Sequence, residues 1–161
     1  MLGETLRQRG AQVDVVDAGA AGPGPRPADY AGVLVAASVH ISSYQRAVVR
    51  WLRAHAAELH RKPAAFLSVC LGVLQREPAV QKELDAILER FYARTRWRPA
   101  LTKIVAGALP YTRYGRLKRW AMRRMARRAG VETDPSRDYE YTDWNEVRAF
   151  ADAFERLVRG G

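Results

Sequence analysis

Three uninterrupted apolar runs constrain this chain more than any other feature: AGVLVAAS at residues 31–38, AAFLSVCL at 64–71 and LTKIVAGAL at 101–109. An antiparallel strand with one wet face alternates polar and apolar side chains. A parallel strand covered by helices on both sides reads instead as a continuous apolar stretch. Long helical patterns lie between these runs. The alternation predicts an α/β fold, an open parallel sheet with helices on both faces.

The helices are legible by their period. After the first run, Ser42 and Gln45 have the spacing of a capping box, and Val48, Trp51, Leu52, His55 or Ala56, and Leu59 then share one face. His60, Arg61 and Lys62 suit a helix C-terminus, and Pro63 stops the helix. The next helix has Pro78 near its first turn and a stripe of Val80, Leu84, Ile87, Leu88 and Phe91. The last starts from a second capping box, Asp143 with Glu146, and carries Val147, Phe150, Ala151, Phe154, Leu157 and Val158 before Gly160. At the other end, Leu2 and Leu6 sit at near-helical spacing and Gly10 closes the stretch as a helix C-terminal glycine would. Val13, Val15 and Val16 then read as a short strand over residues 12–17, so the sequence opens on the back half of a βαβ unit. Residues 18–30 are a connector between two strands and no phosphate cradle, because Pro23, Pro25 and Pro27 remove amide donors at alternate positions. At 161 residues, 48% of them hydrophobic, the chain is long enough for one domain with its own core, and residues 1–161 are read as that domain.

Other patterns exclude whole classes. The single cysteine, Cys70, rules out an internal disulfide and a multi-cysteine metal centre, while His40, His55 and His60 are too scattered to build one. No apolar run is long enough to span a bilayer and no signal peptide is legible, which predicts a cytoplasmic protein. The net charge of +10 is concentrated: between Arg96 and Arg128 stand eleven Lys or Arg and no Asp or Glu. Within that third, YGRLKRWAMRRMARRAG places positive charge nearly all round a narrow stripe of Leu117, Trp120, Ala121 and Met125. The stretch from Arg116 to Arg128 is either a solvated surface helix or a helix lying on an anionic membrane. With no helix-turn-helix context and no aromatic stacking platform, nucleic acid is not an expected partner.

Ligands of open α/β sheets bind outside the carboxyl ends of the strands. Those ends carry Ser38, Val39, His40 and Tyr44, then Cys70, Leu71 and Gly72, then Gly107, Ala108 and Tyr111. None of them holds a Ser/His/Asp triad, a Cys/His pair or two poised carboxylates, so hydrolysis by side chains is not expected. Small residues beside hydroxyl and aromatic groups suit chemistry carried by a bound cofactor. Plainer roles exist for each: Ser38 and Ser42 as caps, Tyr44 as a core contact, Cys70 as a small buried hydrophobe. His40 and Tyr111 stand where a proton-abstracting group could act, or are ordinary loop residues, and no catalytic residue is assigned.

The segments AASVHISSYQRAVVRWLRAHAAELHRKPAAFLSVCL, RWRPALTKIVAGALPYTRYGRLKRW and GVETDPSRDYEYTDWNEV resemble the flavodoxin-like, menaquinone-dependent protoporphyrinogen IX dehydrogenase family of bacterial haem biosynthesis. The resemblance runs in order over residues 6–154. It rests on A-S-x-x-x-x-x-Y, W-R-P, A-G-A-L-x-Y-x-R-Y and E-T-D with Y-T-D-W. It implies a flavodoxin-like sheet of order 2-1-3-4-5 with FMN at the strand ends. Ser38, Val39, His40 and Tyr44 on one loop, and Ser68, Val69, Cys70, Leu71 and Gly72 on another, would flank the ring, with Gly107, Ala108 and Tyr111 beside them. Cys70 and Leu71 stand where the family has an Asn-Leu pair. The resemblance further implies oxidation of a porphyrinogen, whose propionates are anionic, with electrons passing to a membrane quinone and the protein peripheral on the inner membrane. Family members begin with a central strand and an FMN-phosphate loop that this sequence lacks. The expectation is then a longer natural protein, a remnant that binds no FMN, or a strand supplied by a partner or second copy. The alternatives are a basic, flavin-free binding module and another FMN-dependent quinone oxidoreductase. The sequence sets neither the quinone nor the oligomeric state.

Overall fold

The computed structural model describes residues 2–20, 24–40, 42–109, 111–113, 115, 120, 122–124, 127, 134 and 136–160. Its centre is a parallel sheet in the order β1 (Val33–Ser38), β2 (Ala64–Val69), β3 (Leu101–Val105). Successive side chains on a strand point to opposite faces, so β2 divides its residues between two cores. Ala64 and Phe66 face α2 (Arg46–Leu59) and α3 (Pro78–Thr95), packing with Leu52, Ile87, Phe91 and Trp97. Ala65 and Leu67 face α1 (Leu2–Arg7) and α4 (Trp144–Arg159), packing with Leu6, Val147, Phe150 and Phe154. Five of the six β2 residues are buried, which is why its sequence does not alternate. The expected α/β sheet covered on both faces is what the chain forms.

The three crossover and closing helices follow their apolar periods, and their ends follow local chemistry. At α4 the Asp143 carboxylate accepts hydrogen bonds from the Asn145 and Glu146 amides at 2.8 and 3.4 Å. Glu146 does not complete the box; it pairs with Lys103 of β3 at 3.0 Å. At α1 the Gly10 amide bonds to the Arg7 carbonyl and the Ala11 amide to Leu6, the paired bonds of a Schellman turn, with Gly10 at φ +88°. Asp143→Ala removes two bonds to orphan amides. We expect it to cost about 1 kcal/mol and to lower the Tm by about 2–4 °C, read by thermal circular dichroism.

Four expectations are corrected. Residues 11–17 form no strand; Val15 and Val16 are 73% and 50% exposed. A strand is fixed by a ladder, and apolar side chains alone do not hold one. Val13 is tied to α1 through the bond from Arg7 to its carbonyl oxygen at 2.6 Å, and Asp14 accepts from the Tyr30 hydroxyl at 2.9 Å. Among the described residues no strand pairs with the second edge of β1. The connector 18–30 therefore leads into one strand only, through a 3-10 turn at Pro27–Asp29. The Ser42/Gln45 box does not form either: Gln45 itself is the N-cap of α2 with no side-chain bond, and Ser42 stands at φ +56° in the turn before it. Finally, the run 101–109 is broken at Gly107, φ +81°, into β3 and a short β4 (Ala108–Leu109) that pairs antiparallel with β5 (Tyr139–Glu140). The basic stretch 116–128, expected to be helical, lies mostly outside the described residues, Leu117, Ala121 and Met125 included. Trp120 is helical and 63% exposed, and Met122 packs on the β4 cluster.

Candidate functional site

The carboxyl ends of the three strands finish in register, Ser38 beside Val69 and Val69 beside Val105. The ladder runs one residue further, with the Val39 amide donating to the Val69 carbonyl at 2.9 Å and the Cys70 amide to Val105 at 2.8 Å. The chain therefore leaves β1 and β2 side by side, and the loops 38–44 and 70–74 start as neighbours. The first is a tight turn: His40 and Ser43 exchange backbone bonds at 2.7 and 3.1 Å, which leaves the His40 ring exposed.

Tyr44 ends that turn inside the core. Its ring lies 4.4 Å from that of Phe91 and edge-on to Phe66 at 5.3 Å. Its hydroxyl shares a buried 2.8 Å hydrogen bond with Ser68, which is 1% exposed. Tyr44 and Ser68 thus support the loop from beneath. Burial pushes the Tyr44 phenol up to about 12, against the opposing pull of the Ser68 bond. The folded state holds that proton while an unfolded tyrosine loses it near pH 10, so the stability this confers is present below about pH 10 and is lost as the pH rises towards 12. Tyr44→Phe should cost about 1–2 kcal/mol at neutral pH by leaving Ser68 without its partner. It should also flatten the alkaline fall; urea melts of both proteins at pH 8 to 11 check this.

The second loop begins at Cys70, free and half-buried, and turns through a 3-10 segment, Leu71–Leu74. Burial raises the Cys70 thiol above its ordinary value, with the Gly72 amide opposing. The shift disfavours the thiolate, which is the nucleophilic form. The third loop is shaped by Gly107, whose carbonyl accepts from the Tyr141 amide at 3.0 Å. Leu109 and Tyr111 are buried under Leu71, Met122, Tyr139 and Tyr141. Asp138 clamps this ribbon by accepting from the Thr112 amide at 2.9 Å and from its hydroxyl at 3.0 Å. Tyr139 stacks on Tyr141 at 5.9 Å, with the Arg137 guanidinium 5.1 Å from the Tyr139 ring centroid.

Of the residues singled out from sequence, Ser38, Val39, His40, Val69, Cys70, Leu71, Gly72 and Ala108 lie at or beside the strand ends. Val39 and Val69 spend their side chains on opposite cores, and Tyr44, Ser68, Gly107 and Tyr111 are buried supports. Sequence reasoning missed the Thr112–Asp138 clamp and the Tyr139–Tyr141 stack. The signal available was Y-E-Y at 139–141, which alternates as a strand does.

This arrangement of strands and loops is matched by known proteins. A flavodoxin domain family matches residues 1–136. The chain belongs to that family. This flavodoxin domain is 31% identical over 158 residues to the protoporphyrinogen IX dehydrogenase (quinone) of Escherichia coli K12, a match covering 98% of the chain and 86% of that protein. It is 33% identical over 130 residues to the enzyme of the same name from Leishmania major, covering 81% of the chain and 56% of that protein. No solved structure matches it. The relatives are oxidoreductases, and a flavodoxin domain is a flavin-binding fold. The strand ends suit the flat part of a flavin: apposed backbone segments, the small residues Ser38, Gly72 and Ala108, and no bulky charged side chain among the described residues of the first two loops up to Leu74. A fit to a flavin phosphate has no counterpart there, since the amides of Val39, His40, Ser43 and Cys70 are already spent within the fold. Among the described residues no group of His, Cys, Asp or Glu could hold a metal, and no helix is long and apolar enough to cross a membrane.

Proposed function

We propose that this flavodoxin domain, residues 1–161 taken as one unit, binds FMN and oxidises protoporphyrinogen IX, passing the electrons to a quinone in haem biosynthesis. The observation that carries the reading is the 31% identity over 98% of the chain to a protein named for that reaction. FMN would supply the chemistry by taking electrons from the porphyrinogen in pairs and handing them on to the quinone. The chain's own residues bind and orient. The loop of Ser38, Val39 and His40 and the loop of Cys70, Leu71 and Gly72 would hold the ring from two sides, with Ala108 at its margin. Tyr44, Ser68, Gly107 and Tyr111 keep those loops in place.

The basic stretch supports a peripheral site on an anionic membrane, where a quinone resides. Trp120 is exposed beside Arg123, Arg124 and Arg127, and Met122 anchors the segment on the β4 ribbon that flanks the strand ends. Arginines on lipid phosphates with an interfacial tryptophan are how such a segment binds. The test is a titration of the 161-residue chain with FMN, followed by quenching of flavin fluorescence, with and without vesicles containing phosphatidylglycerol. Saturable quenching at micromolar FMN is the expected result; unquenched flavin in the presence of folded protein would overturn the reading for this chain.

A further inference from the structure

Beside the His40–Ser43 turn, between α2 and α3, lies a small cavity of about 60 Å³. Its floor is apolar, formed by Tyr44 and Phe91, and its rim is Ser42, Ser43, Arg90 and Arg94. The rim has an excess of donors. Arg90 and Arg94 are four residues apart on α3, which brings two like charges to one patch of helix surface, where they repel. Neither meets a carboxylate among the described residues: Glu89, the neighbouring acid, is taken by Arg98. The nearest partner of Arg94 is neutral, the Ser43 hydroxyl at 3.5 Å. Three residues after Ser43, α2 begins with no side-chain cap and no acidic residue in its first turn, so its orphan amides and positive dipole end add to the same field. Ser42 is held at φ +56°, a conformation a serine adopts only under the constraint of the turn. A single water needs roughly 10–15 Å³ of such space, so the cavity of about 60 Å³ has room for a small oxyanion.

We propose that Arg90, Arg94, Ser42 and Ser43 form an oxyanion site, one that neutralises the paired guanidinium groups and braces the turn carrying His40. Resting on the function proposed above, the group it takes is a propionate carboxylate of the tetrapyrrole; on its own chemistry it would equally take a phosphate. Carboxylate and phosphate both match the planar donor fork of arginine.

Binding of protoporphyrin IX and of its dimethyl ester, which lacks the carboxylates, is measured by quenching of tryptophan fluorescence, for the natural chain and for Arg90→Gln/Arg94→Gln. Both arginines are exposed, so the variant should fold, and its near-ultraviolet dichroism checks this. The site predicts that the diacid binds the natural chain about tenfold tighter than the ester, and that the double variant binds both alike. An Arg90→Lys/Arg94→Lys chain should recover part of the difference. Equal affinities in the natural chain, or a difference that survives the glutamine variant, would overturn the carboxylate assignment. In a second arm, inorganic phosphate should raise the Tm of the natural chain and not that of the glutamine variant. If no porphyrin binds at all, the substrate reading fails while this arm still decides the site: a phosphate shift lost in the variant upholds it, and identical shifts, or none, overturn it.

Discussion

Phe66→Ala is expected to cost this domain about 3–5 kcal/mol, a large part of the roughly 5–15 kcal/mol that holds a typical domain together. Phe66 has no exposed surface and sits at the middle of the central strand. Its ring stacks on Phe91 at 4.7 Å and meets Tyr44 and Trp97 edge-on at 5.3 and 6.4 Å. Four aromatic rings from β2, the turn before α2, α3 and the segment before β3 therefore share one contact, and removing the central one leaves a cavity that rigid neighbours cannot close. The functional effect should be visible even where the protein still folds, because Tyr44 is braced by that ring on one side and by Ser68 on the other. Denaturant unfolding measures the loss; Phe66→Leu, which keeps most of the volume, should recover more than half of it.

Gly107→Ala is the second large effect, at about 2–5 kcal/mol. A side chain at φ +81° carries a backbone penalty of about 1–2 kcal/mol. A methyl group built there would stand 2.4 Å from Cγ1 of Val69, an overlap that forces the Val69 side chain or the end of β2 to shift, for about a further 1–3 kcal/mol. Two contributions make the test discriminating. Val69→Ala removes the obstructing methyl but not the backbone strain, so Gly107→Ala/Val69→Ala should be more stable than the sum of the two single changes predicts, with a coupling of about 1 kcal/mol or more. Strict additivity would mean that the overlap relaxes without cost. Since Gly107 also accepts from Tyr141, the substitution should disturb the β4–β5 ribbon and the margin of the candidate site together.

What could be read from the residues follows from which forces are local. The helices α2, α3 and α4 carry their apolar periods and end signals in adjacent residues, and Asp143 forms the cap its position suggests. The burial of β2 is visible because a strand covered on both faces has no polar positions. Three features were hidden because they depend on distant partners. Val13, Val15 and Val16 have strand composition but no ladder beside them. The Ser42/Gln45 spacing matches a capping box, yet the His40–Ser43 bonds place Ser42 in a left-handed turn from which it cannot cap. Gly107 lies within an apolar run, and only Val69, from another strand, makes it a breaking point. At the site, the spacing identified the loops at the strand ends. It could not separate residues that face a ligand from those that support the loop, because Tyr44 and Ser68 meet across 24 residues of chain. The Thr112–Asp138 clamp, closed across 26 residues, was hidden for the same reason.

The most direct test of the proposed chemistry is an anaerobic assay in which this chain, FMN and a menaquinone analogue are mixed with protoporphyrinogen IX and the red fluorescence of the porphyrin is followed. The account predicts that fluorescence appears at a rate proportional to protein, with quinol formed alongside, and that omitting either FMN or the quinone abolishes it. A rate unchanged by leaving out FMN, or no porphyrin from a chain shown to bind FMN, would contradict it.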